Sequence, residues 1–196
     1  MSTLKSICND VSNCSKCNLC SGRTNSVPGA GNSKSRILFI GEGPGKDEDL
    51  QGKPFVGAAG KLLTQLIESI GLTRDDVFIT NVVKCRPPDN RDPFPEEIDA
   101  CWPYLVQQVK SIKPLIIVTL GRHSMNRFLS GLKISEAHGS PKVYKGIWQE
   151  KQVYLPMYHP AVALYDPRKK DVLFEDFKNI PLVLKKISQK PKKDDS

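Results

Sequence analysis

Apolar residues in this chain fall into short runs separated by longer, periodically apolar stretches. Residues 36–41, Arg-Ile-Leu-Phe-Ile-Gly, form a compact apolar run closed by glycine and read as a buried parallel strand. Residues 77–83, 115–121 and 153–159 read as three more strands. Between them, Leu62, Leu63, Leu66, Ile67 and Ile70 share one helical face across 57–70, and Gly71 is a natural stop. Pro95-Glu-Glu-Ile opens a helix running to about residue 112, with proline and acids in the first turn where the helix dipole favours them. A short helix is predicted over 122–129 and a closing helix over 171–187. The alternation predicts an α/β fold, a three-layer α/β/α arrangement around a central, mostly parallel, four-stranded sheet. Residues 1–35, rich in Cys, Ser, Asn and Gly, read as a loop-dominated N-terminal lobe. One domain is expected over 1–188, and a disordered basic tail over 189–196.

In such folds, ligands sit outside the carboxyl ends of the strands. The first strand ends in Gly41-Glu-Gly-Pro-Gly45. The second ends near Asn81 and leads into Cys85-Arg-Pro-Pro-Asp-Asn90. The fourth ends in His159-Pro-Ala-Val. A carboxylate, an amide and an imidazole are thus predicted on one rim.

Charge narrows the partner. The 196 residues carry a net charge of +8, which favours a polyanion. Residues 1–36 hold +4, residues 185–196 hold +3, and the 148 between them only +1, so the body is near neutral. No apolar run reaches the roughly 18 residues needed to span a bilayer. The start, MSTLKSICND, has no apolar segment of a secretory signal. An intracellular, reducing compartment without membrane attachment is therefore expected. There, clustered cysteines more often bind metal or do redox chemistry than form disulfides.

The six cysteines are Cys8, Cys14, Cys17, Cys20, Cys85 and Cys101. Cys14-Ser-Lys-Cys17 can turn two thiolates onto one metal. Cys85 and Cys101 stand far downstream with 15 residues between them. A zinc finger would keep its second pair close, whereas an iron–sulfur cluster gathers cysteines from distant parts of a fold. Iron–sulfur, zinc and free cysteines all stay open on spacing alone. Cys20 is a competing ligand, and Cys8 has no partner at a useful spacing.

The glycine turn after the first strand is a poor phosphate loop. Lys46 is followed by Asp47 rather than Ser or Thr, Pro44 lacks a donor, and Asp47, Glu48 and Asp49 would repel a pyrophosphate. It could equally be a tight turn and nothing else. Phe55, between a proline and glycines, is either a core aromatic pinning its loop or a stacking platform for a flat ligand. Arg86, Arg91 and Arg168 fall in rim loops where phosphates could meet them, while the lysine tail reads as a solvated end.

Taken together, the chain resembles the family 4 uracil-DNA glycosylases, the iron–sulfur branch of that superfamily. The resemblance rests on Cys14-Ser-Lys-Cys17 with Leu19-Cys20 and Arg23 behind it, ILFIGEGPGKDED at 37–49, GKPFVGAAGKLL at 52–63, ITNVVKCRPPDNRDPFPEEIDAC at 79–101 and HPAVAL at 159–164. It covers most of residues 14–165. It implies that Cys14, Cys17, Cys85 and Cys101 ligate a structural 4Fe–4S cluster, with 14–35 as the cluster-binding segment, and that Cys20 is not a ligand. It implies a monofunctional hydrolase acting as a monomer on uracil in double- or single-stranded DNA, in the cytoplasm beside the nucleoid. A related branch that traps the abasic sugar carries glutamine where this chain has Gly43, and a basic, histidine-containing insert that is missing between Asn81 and Cys85.

The residues suit that chemistry. The base must be flipped out of the stack to expose its bond to the sugar. The Asn81 amide can donate to uracil O4 and accept from N3–H, and cytosine presents the inverse pattern. Phe55 would stack on the base. Donors aimed at O2, from the amides at Glu42–Gly43 and from His159 as a neutral ring or an imidazolium, would hold the leaving negative charge. The resemblance puts Glu42 and Glu48, the latter paired with Asn90, at the catalytic side, where a carboxylate orients water and favours the sugar cation. Leu164 is a candidate wedge for the gap left in the duplex. A zinc-bearing binding module without chemistry and a nucleotide-phosphate enzyme are the competing classes.

Overall fold

The computed structural model describes residues 3–189. Six strands form one sheet: β1 (Ala30–Gly31), β2 (Ile37–Gly41), β3 (Phe78–Asn81), β4 (Ile116–Leu120), β5 (Lys142–Tyr144) and β6 (Gln152–Met157). Their order is β1-β3-β2-β4-β6-β5. The inner four are parallel, and the two outer strands pair antiparallel. The sequence predicts the inner four; the edges enlarge the sheet. Two residues, one of them glycine, and three mostly exposed ones carry no apolar run to betray them.

The inner strands are buried on both faces, and their side chains alternate between two apolar layers. Leu38 and Ile40 join Tyr104, Leu105 and Val109 of the helix Pro95–Ile112. Ile37 and Phe39 join Leu62, Leu63, Leu66 and Ile67 of the helix Ala58–Glu68, together with Leu173 and Phe177. Each such side chain contributes roughly 1.5–3 kcal/mol by leaving water. Helix Pro95–Ile112 starts where the sequence places it. Glu97 accepts the Phe94 N–H at 2.8 Å and so satisfies a free donor of the first turn.

Two expectations are corrected. The N-terminal lobe is not all loop: Leu4–Ser12 is a helix, capped by Thr3, that buries Ile7 and Val11 one turn apart against the first layer. The closing helix is two helices, Arg168–Phe177 and Asn179–Gln189. Pro181 lacks the N–H that would bond back to Phe177, which weakens the turn there, and it sits in the first turn of the second helix, where a missing N–H is tolerated. The tail expected over 189–196 lies, from residue 190 on, outside the described residues. Among the described residues no helix is long and apolar enough to cross a membrane.

Candidate active site and cysteine site

Because the four inner strands are parallel, β2, β3, β4 and β6 bring their carboxyl ends to one rim. There a pocket of about 340 Å³ opens, lined by Glu42, Gly43, Glu48, Phe55, Asn81, Asn90, Arg91, Asp92 and His159 among others. That volume suits a small planar molecule. Segments more than 100 residues apart in the chain meet here because each follows a parallel strand.

Gly41 ends β2 directly opposite Asn81 on β3. A Cβ on Gly41 would collide with Asn81 Oδ1 and come within 2.7 Å of the Phe55 ring. The glycine is therefore needed for close approach, not only for a turn. Asn81 is buried, and its Oδ1 has no hydrogen-bond partner. A buried, unsatisfied amide oxygen costs about 1–3 kcal/mol, and facing a pocket it is a group waiting for a donor.

Phe55 sits at φ 54°, a left-handed conformation that side chains rarely adopt. Arg74 holds it there, donating to Phe55 O at 3.1 Å and Pro54 O at 2.7 Å. Gly60 leaves room for the same carbonyl, since a Cβ there would collide with Phe55 O. The Phe55 ring lies 5.6 Å from the His159 ring, tilted by 32°. The His159 tautomer is fixed by its own loop. The Ala161 N–H donates to His159 Nδ1 at 3.2 Å, so the ring proton is on Nε2. Burial pushes the imidazole down to about 4 against the opposing pull of Glu48. His159 is thus a neutral Nε2–H donor, which decides between the two forms the sequence leaves open.

The two carboxylates differ. Glu48 accepts from Val56 N at 2.8 Å and Gly57 N at 3.0 Å on one oxygen, and from Gly45 N at 3.1 Å on the other. It ties the glycine turn to the Phe55 loop. Glu42 Oε1 is buried without a partner. Burial, then the nearby Asp92 charge, raise its carboxyl to about 7, with Arg122 pulling the other way. The expected pairing of Glu48 with Asn90 is not formed. Asn90 Oδ1 accepts instead from Arg86 Nε at 2.8 Å, while Asn90 and Glu48 both line the pocket.

The basic rim residues are partly committed. Arg91 makes a bidentate pair with Glu97, at 2.7 and 2.9 Å, and stacks on Phe94. Arg168 is spread along Asp166. A phosphate would compete with a carboxylate at both. Leu164 is half-exposed and Tyr165 almost fully so, on the one-turn helix Val162–Tyr165 just past His159.

Sequence reasoning passes over three residues. His123 lies 3.9 Å from Glu42 Oε1 and 3.2 Å from Asp92 Oδ2. It follows the end of β4, so the strand-end rule could have flagged it. Asp92 and Arg74 act through contacts far apart in sequence and leave no local signal.

A second cavity gathers Cys14, Cys17, Cys20, Cys85 and Cys101. The first three come from the N-terminal lobe expected to carry the site, Cys85 from the segment after β3, and Cys101 from the second turn of helix Pro95–Ile112. Cys8 does not line it. Backbone or side-chain N–H groups reach three of the sulfurs: Lys16 N to Cys14 at 3.5 Å, Lys84 N to Cys101 at 3.3 Å, and Arg23 Nη1 to Cys85 at 3.1 Å. Burial pushes the Cys101 thiol up to about 11, with the Lys84 charge and backbone N–H pulling the other way, so positive charge nearby favours its thiolate. Among the described residues, the one trio of candidate ligand atoms within 4.8 Å of each other is Glu42, Asp92 and His123. The cysteine sulfurs are therefore spread more widely than the roughly 3.8 Å that a single tetrahedral zinc imposes. A polynuclear group bound by soft sulfur fits this donor set.

The uracil DNA glycosylase superfamily model matches residues 28–179. The chain is 54% identical over 187 residues to the type-4 uracil-DNA glycosylase of Sulfurisphaera tokodaii, covering 92% of this chain and 84% of the relative. It is 50% identical over 186 residues to that of Archaeoglobus fulgidus, covering 92% of each. Against that of Thermotoga maritima it is 43% identical over 180 residues, or 90% of this chain and 92% of the relative.

Proposed function

The chain belongs to the uracil DNA glycosylase superfamily, and within it to the type-4 uracil-DNA glycosylases, and from that membership we propose how its pocket does the work. The activity is hydrolysis of the N-glycosidic bond of uracil in DNA, which releases the free base and begins repair at the abasic site. The residue roles that follow are our reading.

Uracil enters flipped and stacks on the Phe55 ring. Asn81 reads it: the unpartnered Oδ1 accepts N3–H, and the amide nitrogen donates to O4. Cytosine would leave both atoms facing like groups, which a buried site rejects strongly. As the bond to C1′ stretches, negative charge moves to O2. The His159 Nε2–H and the amides at Glu42–Gly43 are the donors for it, needing no proton transfer and no rearrangement. Glu42 is the catalytic carboxylate. It has a free oxygen at the pocket wall, orients water towards C1′ and favours the positive sugar. Glu48, with both oxygens engaged, is a positioning residue that keeps the turn and the Phe55 loop in register.

Cys14, Cys17, Cys85 and Cys101 hold a 4Fe–4S cluster, with Cys20 beside them as a non-ligand. The convergence of soft donors, their wide spacing and the N–H groups aimed at sulfur support this. When bound, such a cluster supplies a covalent tie between the N-terminal segment and the 85–101 loop, and takes no part in breaking the glycosidic bond. The protein works as a single-domain monomer over 1–188 on uracil in double- or single-stranded DNA, in the cytoplasm by the nucleoid. Arg86, Arg91 and Arg168 meet backbone phosphates, and Leu164 fills the vacated stack.

The observation that carries the reading is the buried, unpartnered Asn81 amide against the Phe55 ring. Release of free base from oligonucleotides bearing a single uracil, cytosine or thymine tests it. The protein releases uracil alone, and Asn81→Asp loses the preference over cytosine. Equal selectivity in the variant would refute the reading role.

A further inference from the structure

Lys84 is 1% exposed, one of the largest fully buried side chains. An ammonium has three hydrogens. Here they go to Thr80 Oγ1 at 2.7 Å, Asn81 O at 2.6 Å and Gln108 Oε1 at 2.8 Å. All three acceptors are neutral. A buried cation is costly unless a counter-charge stands near it. The anionisable groups acting on this one are the thiols of Cys101 and Cys8, and Lys84 itself precedes Cys85. Its backbone N–H bonds Cys101 Sγ at 3.3 Å while its side chain bonds the carbonyl of Asn81, the base reader. The third acceptor, Gln108, lies on the same helix as Cys101. One residue therefore touches both ends of the molecule's chemistry.

We propose that Lys84 is a positioning residue that couples the cysteine site to base reading. Its ammonium fixes the Asn81 peptide at the end of β3 and is the built-in positive charge that offsets the thiolates of the bound cluster. The proposal rests on the cluster reading above. With the cluster in place the buried ammonium has its counter-charge, and the three hydrogen bonds hold Asn81 in one orientation. A change in charge at the cysteines is then felt at Asn81 through one side chain.

The test uses the iron-loaded full chain. Iron content and the cluster's midpoint potential are measured for the wild type, Lys84→Met and Gln108→Glu, alongside kcat and KM on a single-uracil oligonucleotide. Lys84→Met removes the charge and frees Asn81 O. The expected result is a potential shifted to a lower value, because the reduced cluster loses its nearby cation, together with a loss of about tenfold or more in kcat/KM, seen chiefly as a raised KM. Gln108→Glu leaves Lys84 in place but neutralises it with a carboxylate, so the potential falls by a similar amount. If Lys84→Met does not fold, Gln108→Glu alone decides by that shift. Wild-type protein without iron would overturn the cluster reading and the coupling with it. Iron-loaded variants with unchanged potential and unchanged KM would overturn the coupling alone.

Discussion

Glu42→Gln should make the protein more stable and far less active, and the two effects should separate with pH. The carboxyl is raised from 4.5 to about 7 in the fold, first by burial and then by Asp92. Each pH unit between those two values is worth about 1.36 kcal/mol, so the ionised side chain costs the folded state about 3 kcal/mol. The side chain is 26% exposed, so solvent screening brings this nearer to about 2 kcal/mol. The folded carboxyl binds its proton more tightly than the unfolded one. Wild-type stability relative to the variant is therefore full below pH 4.5, is lost as pH rises towards 7, and stays lost above. Glutamine carries no such cost. In thermal melts the two proteins should coincide near pH 4, and the variant should melt roughly 4–8 °C higher at pH 8 for a chain of this size. Single-turnover uracil release should run the opposite way. The wild-type rate climbs through about pH 7 as Glu42 ionises, whereas the variant is slow and flat. A variant that melts with the wild type at pH 8, or one that keeps the wild-type rate and its pH limb, would refute the assignment of strain and chemistry to this one carboxylate.

Three further outcomes follow from the geometry. His159→Ala should slow uracil release by about 10²–10³-fold, the usual cost of one oxyanion donor, with little change in DNA affinity in a binding titration. Because the ring stays neutral down to about 4, His159 should give no inflection in the rate between pH 5 and 8. Gly41→Ala should drive Asn81 and Phe55 apart and lower kcat/KM by at least tenfold, measured on the single-uracil oligonucleotide, while the protein still folds. On the proposed cluster, the wild type should carry iron and absorb broadly in the visible, and Cys85→Ala should lose both and melt at a lower temperature; a Cys85→Ala variant with full iron content would remove Cys85 from the ligand set.

Much of the rim was legible because parallel strands obey a simple rule. Asn81, His159 and the glycine turn each follow an apolar run, so their meeting could be argued from the chain alone. Phe55 was legible as an aromatic between glycines, but its left-handed backbone was not, since Arg74 imposes it from 19 residues away. The neutral form of His159 depends on an amide two residues on, a matter of loop geometry that residue types do not encode. Lys84 looks like any lysine in a basic sequence. Only the approach of Thr80 and Gln108 turns it into a buried ion. Pro181 is a signal for the split that reading 171–187 as one helix passes over. The edge strands carried too few residues to have a pattern at all.

Those edges have a consequence for the protein in solution. ILFIG and IIVTL, the whole of β2 and β4, are short, uncharged and rich in β-branched and aromatic residues, the composition from which amyloid-like stacking grows. Inside the sheet they are flanked on both sides. The strands left outermost offer a newcomer little to pair with: two residues including a glycine on one side, and three on the other, starting with a lysine. Short edges and an edge lysine are how sheets avoid recruiting a second chain. The fold thus hides its stickiest segments at the centre of the sheet and ends it in its least adhesive ones, so deleting Lys142–Tyr144 would bare the long strand β6 as a new edge and would be expected to cost solubility.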